Sequence, residues 1–213
     1  MSIADPTPDS SFFVLLRHGE STGNAENRHQ GQADFPLTAA GLQQVEKLLA
    51  VWQKKGRKFS RLISSPLDRA RQTAEILAGG LQLKVEYNPI WMERDNGKLA
   101  GLLHETALEE VPRPDFIPRF QPIAETGESQ WELYLRAGQA LNQMMKYPPG
   151  EYLIVSHGGF LNMVMHAVVG LTPQPNFQGP NFRFFNTGYT SLLYKPENEN
   201  IIILGHNQTS HLD

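Results

Sequence analysis

"FFVLLRHGES", Phe12 to Ser21, opens on five apolar residues and passes without a linker into arginine, histidine, glycine and glutamate. A second stretch, "YLIVSHGGFL", Tyr152 to Leu161, repeats that plan. Each reads as a short buried strand whose carboxyl end delivers a histidine followed by a glycine. In open parallel sheets ligands sit outside the carboxyl ends of the strands, so the two stretches predict a single pocket supplied by both.

Around them, strands and helices alternate. After a first strand, Phe12 to Leu16, a polar, glycine-containing loop runs to Pro36. Leu42, Val45, Leu48, Leu49 and Trp52 then fall at three- and four-residue spacing, which predicts a helix from about Ala39 to Lys55 with Thr38 as its N-cap. "RLISS" is the second strand. It leads into "SPLDRARQTAEILAGG", where Ser65 is the expected N-cap, Pro66 the first helical residue and Gly79 the stop. "LKVEY", Leu83 to Tyr87, is a third short strand. The proline-bearing segment from Pro89 to Gly127 reads as irregular, with one short helix near His104 to Glu110, and is expected to act as a lid that shapes the substrate.

Ser129 with Glu132 forms a capping box, opening a helix to about Lys146 with Leu133, Ala137, Leu141 and Met144 inward. "YLIVS" is the next strand and "FLNMVMHAVVG" a mostly buried helix; "RFFN", "TSLLYK" and "NIIILG" read as closing strands. The alternation predicts an α/β three-layer sandwich, a largely parallel central sheet flanked by helices.

A chain of 213 residues is expected to form one domain, 1–213, with residues 1–10 as a loose N-terminal arm. A net charge of -3 without a lysine/arginine cluster argues against nucleic acid or an anionic membrane as partner. The absence of cysteine excludes disulfide and thiolate chemistry. The opening "MSIADPTPDS" has neither a basic nor an apolar leader region and no apolar run approaches a membrane span, so the expected location is the cytoplasm.

Three predicted strands end in polar residues: Arg17-His18-Gly19, Ser64-Ser65 leading to Arg69, and Ser156-His157-Gly158. If those strands are neighbours, two histidines and two arginines converge. Two guanidinium forks suit a phosphate or carboxylate, and Arg69 lies on the first turn of its helix, where an anion is favoured. The same arginines disfavour protonated imidazole and leave a lone pair for nucleophilic attack. A metal site would need His18, His157 and a carboxylate such as Glu20, but an adjacent arginine opposes a cation, so no metal and no cofactor is expected. His29, His104, His166, His206 and His211 read as structural, and Arg71 and Arg136 as solvent or ion-pair residues.

"LLRHGES" followed by Asn24, then "QGQADFPLTAAGLQQ", "SSPLDRARQTA", "MERDNGKLAG", "GES" and "VSHGG", resemble in that order the signature blocks of the histidine phosphatase, or phosphoglycerate mutase-like, superfamily. The resemblance implies that His18 accepts the phosphoryl group, that Arg17, Arg69 and His157 complete the phosphate pocket, and that Glu93 gives a proton to the leaving group. Asn24 and the backbone around Gly31 and Gly158 would add phosphate or substrate contacts. Many phosphatases of the family carry an aromatic and an acidic residue where this chain has Asn96 and Ala100, a departure that bears on substrate fit.

The implied activity is metal-independent hydrolysis of a small phosphorylated metabolite through a phosphohistidine. One alternative is a 2,3-bisphosphoglycerate-dependent phosphoglycerate mutase, which returns the phosphoryl group to the substrate. Such mutases carry a longer insertion with a lysine and an adjacent arginine pair, whereas Leu102 to Thr126 holds only Arg113 and Arg119. A second alternative is a non-catalytic binder of phosphorylated ligands, which would have no chemical need for nucleophile and acid together.

Overall fold

The computed structural model describes residues 6–213. The expected N-terminal arm lies partly outside them, at residues 1–5. Its remainder is tied down by a turn in which Thr7 and Ser10 hydrogen-bond side chain to side chain at 2.8 Å, with Ser10 buried.

Among the described residues six strands form one sheet: β1 (Ser11–Arg17), β2 (Arg61–Ser64), β3 (Val85–Tyr87), β4 (Glu151–Ser156), β5 (Tyr189–Lys195) and β6 (Asn200–Gln208), in spatial order β3-β2-β4-β1-β5-β6. The first four strands run parallel, while β5 and β6 add an antiparallel edge. The expected sandwich with a largely parallel sheet is therefore the observed one. "RFFN" is not a strand: Arg183 to Asn186 run as irregular backbone. Arg17 and Phe184 meet there through a side-chain hydrogen bond, described below, in place of a ladder.

Successive side chains of β1 serve opposite layers. Phe13 and Leu15 join a core built with α5 (Gln130–Met145) and α6 (Gly158–Val168), while Val14 and Leu16 join one built with α2 (Ala39–Lys54) and α3 (Asp68–Leu81). All four are at most 1% exposed. Burying each contributes about 1.5–3 kcal/mol, so a strand apolar on both faces has only one stable place, the middle of the sandwich.

Thr38 caps α2 by accepting from the Gly41 N–H at 3.0 Å, and Ser129 with Glu132 makes the capping box of α5. Leu42, expected inward, is exposed because the buried stripe of α2 runs through Gly41, Val45, Leu48 and Trp52 and position 42 lies to one side of it, and at α5 Ala140 is buried where Leu141 is only partly so. Ser65 does not cap α3. The chain stays extended through Leu67, which takes the N-cap position without a side-chain bond. Nor does Gly79 end that helix, which runs on to Leu81 and stops when Gln82 turns left-handed at φ 57°. Gly80 serves packing instead, since a Cβ there would lie 2.3 Å from Leu49 of α2.

The segment 89–127 is mostly irregular, with one short α-helix, α4 (Ala107–Glu110), and three single 3-10 turns at Pro89–Trp91, Gly97–Leu99 and Ile123–Glu125 that the sequence reading did not place. Its stretch 97–127 leaves and returns to one point: a Cβ on Gly97 would sit 2.4 Å from the Gly127 nitrogen. The Glu128 N–H also donates to the Asp95 carbonyl at 2.9 Å. Between β1 and α2, a four-residue helix, α1 (Thr22–Ala25), occupies part of the predicted loop.

Candidate active site

β2, β4 and β1 are consecutive in the sheet, and their registers align Arg17 with Ser156 and Ser64 with Val155. The three polar strand ends therefore share one edge. A cavity of about 460 Å³ opens there, with Arg17, His18, Gly31, Arg69, Glu93 and Gly158 among its walls.

His18 is held in one tautomer. Its Nδ1 lies 2.7 Å from the Gly19 carbonyl, and since a carbonyl can only accept, Nδ1 carries the proton and the neutral ring presents the Nε2 lone pair. Burial keeps that ring neutral, pulling its pKa well below the usual 6.5, with further help from Arg69 and Arg17. The Gly19 N–H is fixed by Thr73 Oγ1 at 3.1 Å, so the carbonyl that orients the imidazole is itself part of a fixed turn.

His157 is fully buried behind the cavity wall, its ring centroid 5.1 Å from that of His18. Burial, then Arg69 and His18, push its pKa well below 6.5. Its Nε2 pairs with Ser65 Oγ at 2.7 Å. This is what the serine does instead of capping α3.

The two guanidiniums are anchored on backbone carbonyls. Arg17 Nη1 donates to Phe184 O at 2.7 Å, while Arg69 Nη1 and Nη2 donate to Ala33 O at 2.9 Å and Gly31 O at 2.7 Å. Gly31 is left-handed at φ +52°, and a Cβ there would fall 2.8 Å from Asn96, so glycine is required for this carbonyl to reach Arg69. Burial lowers the pKa of Arg69 to about 10, against the opposing pull of Glu93 and Asp34, which still leaves it cationic at neutral pH. Three buried nitrogens around His18 have no partner: Arg17 Nε, Arg69 Nε and His157 Nδ1.

Glu93 projects onto the amino end of α6. Oε1 accepts from the N–H groups of Phe160 (2.8 Å) and Arg94 (2.9 Å), and Oε2 from Gly159 (2.9 Å). The loop that carries it is clamped by Arg136. Nη1 donates to Ile90 O and Met92 O at 2.9 and 2.8 Å, Nη2 to Glu93 O at 3.3 Å, and the fork is neutralised by Glu128 at 2.8 and 2.7 Å.

The remaining residues singled out in the sequence divide between the cavity and its surroundings. Asn24 is outside the cavity walls: its Oδ1 accepts from the Ser21 N–H and from Asn186, closing the capping box of α1. Gly158 packs on Arg17, its position for a Cβ 3.4 Å from Nε. His29, His104 and His166 line the cavity, the first two stacked at 3.8 Å, whereas His206 and His211 pair with Thr190 and Thr187 as structural residues. Arg71 is an ion-pair residue, bound to Asp68 and Glu75. Arg136 also forms an ion pair, and its grip on three loop carbonyls goes beyond that reading. Periodicity alone cannot expose Arg136 or Ser65, because their partners are distant backbone carbonyls and a ring 92 positions away.

Residues 13–207 match the model of the histidine phosphatase superfamily (branch 1). The chain is 35% identical over 167 residues to a Yersinia enterocolitica protein named "Probable phosphoglycerate mutase GpmB", covering 75% of each, and 33% identical over 189 residues to its Cronobacter sakazakii namesake, covering 85% of this chain and 84% of that one. Among solved structures, Bacillus stearothermophilus YhfR superposes with a TM-score of 0.80 at 25% identity over 95% of this chain and 100% of its own. Phosphoserine phosphatase from Entamoeba histolytica, in complex with 3-phosphoglyceric acid, superposes with a TM-score of 0.75 at 24% identity, with the same coverage. With a family model spanning nearly all of the sheet and both histidine-bearing strand ends, the chain belongs to the histidine phosphatase superfamily.

Proposed function

We propose that the protein is a metal-independent phosphomonoester hydrolase working through a phosphohistidine on His18. The observation that carries this reading is the pairing of a neutral, Nε2-presenting His18 with two guanidiniums, Arg17 and Arg69, whose Nε donors lack a partner. Buried polar groups are nearly always satisfied, and a phosphate dianion lying against the Arg17 and Arg69 guanidiniums, both in the cavity wall, would supply the anionic partner that their Nε groups lack. In the first step the His18 Nε2 lone pair forms a bond to phosphorus as the bond to the leaving oxygen breaks, and Glu93 transfers its proton to that oxygen. The charge left on the ring is stabilised through Nδ1–H and the Gly19 carbonyl. In the second step water attacks the phosphohistidine, gives its proton to Glu93 and frees the imidazole. Glu93 Oε2, with only one backbone donor, keeps a lone pair for that proton. No step calls on a cation: the guanidiniums supply the positive charge.

A cavity of about 460 Å³ suits a small phosphorylated metabolite. The names of the relatives favour a second reading, phosphoglycerate mutase, in which the same phosphohistidine passes its group to phosphoglycerate. Against it, neither Arg113 nor Arg119 lines the cavity with His18. One experiment separates the readings. Incubation with a labelled phosphate donor in EDTA should give acid-labile label on His18 that is lost in His18→Asn. A chase should release it as inorganic phosphate whether or not 3-phosphoglycerate is present. Label passing to 3-phosphoglycerate would establish the mutase, and label that persists without turnover a binder. Full turnover by His18→Asn would mean another nucleophile.

A further inference from the structure

A second cavity, of about 490 Å³, adjoins the first, and the two share four wall residues: His29, Arg94, His104 and Phe177. Two flat contacts make this common wall. The His29 and His104 rings stack at 3.8 Å and 9°, and the Arg94 guanidinium lies 5.1 Å over the Phe177 ring while its Nε donates to Asn96 Oδ1. Beyond the wall, the second cavity is enclosed by the excursion 97–127 and is mainly apolar, with Leu99, Ala107, Val111, Ile117 and Ile123 among its walls. The charges at its rim are of both signs, and Lys98 is paired with Glu125. With that pair set aside, Arg94 and Arg113 stand against Glu110, a small positive excess at the rim, while the walls themselves are mainly apolar. Leaving such walls to water is unfavourable, and a ligand reaching across from the first cavity would remove that cost.

We infer that the second cavity holds the leaving group, so that the preferred substrates are monoesters of extended, mainly apolar alcohols. The phosphate would sit at His18, the ester oxygen by Glu93, and the alcohol would run past the histidine stack into the annex. The inference rests on the phosphate reading of the first cavity, and binding measured apart from turnover separates the two.

The probes are methyl-, butyl- and octylphosphonate, which cannot be hydrolysed, titrated calorimetrically into the full chain. Affinity should rise with length, on the order of tenfold for each two methylenes that enter the annex. Val111→Trp, which fills the annex from one side, should bring the octyl-to-methyl ratio close to unity, and Ile123→Trp should do the same from another wall, each with a melting curve to verify folding. A flat series in the wild-type protein overturns the inference, as does a graded series that both filled variants leave intact. Failure of every phosphonate to bind removes both the phosphate reading and the annex. Graded binding without turnover of the matching alkyl phosphates upholds the annex and removes the hydrolase.

Discussion

At the scale of single residues, the division of labour between Glu93 and Arg136 is open to a leaving-group test. A general acid matters in proportion to the basicity of the departing oxygen. Glu93→Gln should therefore lower kcat/KM for an alkyl phosphate by roughly 10²–10⁴-fold and that for para-nitrophenyl phosphate markedly less. Arg136 does not line the cavity; it holds the carbonyls of residues 90, 92 and 93 and is neutralised by Glu128. Arg136→Lys cannot reproduce the planar fork. It should shift the two substrates in the same unequal proportion as Glu93→Gln, by a smaller factor, while a purely structural loss would depress both alike. Equal losses for Glu93→Gln itself would show that the leaving-group acid lies elsewhere. Asp95, two residues on, is poorly placed for that role, since its carboxylate is occupied by the Gly97 N–H at 2.8 Å and it does not line the cavity.

At the scale of elements, the amino end of α6 ties the two histidine-bearing strands to Glu93. A glycine in the first turn of a helix normally costs stability relative to alanine, by about 1 kcal/mol in a helix interior. At Gly159, however, a Cβ would lie 2.7 Å from Glu93 Oε1. The atom in the way is the far end of a flexible side chain, so the fold can yield by moving the carboxylate. Gly159→Ala should then leave the melting temperature unchanged or slightly raised while lowering alkyl-phosphate turnover more than aryl-phosphate turnover. A variant as active as wild type on both would show that the carboxylate need not sit there. The elements that deliver this site were legible because their signals are local: apolar runs of five and four residues ending in Arg-His-Gly and Ser-His-Gly, Thr38 before a periodic helix, Ser129 three residues before Glu132. What misled is equally physical. Ser65 before Pro66 has the pattern of a cap, but its hydroxyl is taken by His157 across the sheet. "AGG" has the pattern of a helix stop, but Gly80 is small to admit Leu49. In each case a long-range partner, invisible to spacing, outcompeted the local rule.

For the whole molecule, the same burial that prepares the site imposes a pH dependence on folding. His18 and His157 are held neutral far below the usual histidine range, His29 and His206 are shifted the same way by burial, and His211 is pushed down to about 4. All five shifts have one sign. As pH falls through about 6.5, the unfolded chain takes up protons on these rings and the folded chain does not, so the unfolded state binds more protons and stability falls. Above that value the contribution is complete and the curve should be level. The carboxylates with lowered values, Glu86 and Glu132, act only below the ordinary carboxylate range and leave the window between pH 6.5 and 5.5 to the histidines. Over that one unit His18 and His157, both almost without exposure, should each remove on the order of 1 kcal/mol. Guanidinium midpoints taken from pH 7.5 to 5.5 should therefore decline on the acid side. The double variant His18→Asn, His157→Asn should flatten much of that decline, leaving a shallower slope from the remaining three. Should the double variant keep the full wild-type slope, the two rings titrate alike in folded and unfolded chains, and the neutral His18 on which the nucleophilic step depends would have to be given up.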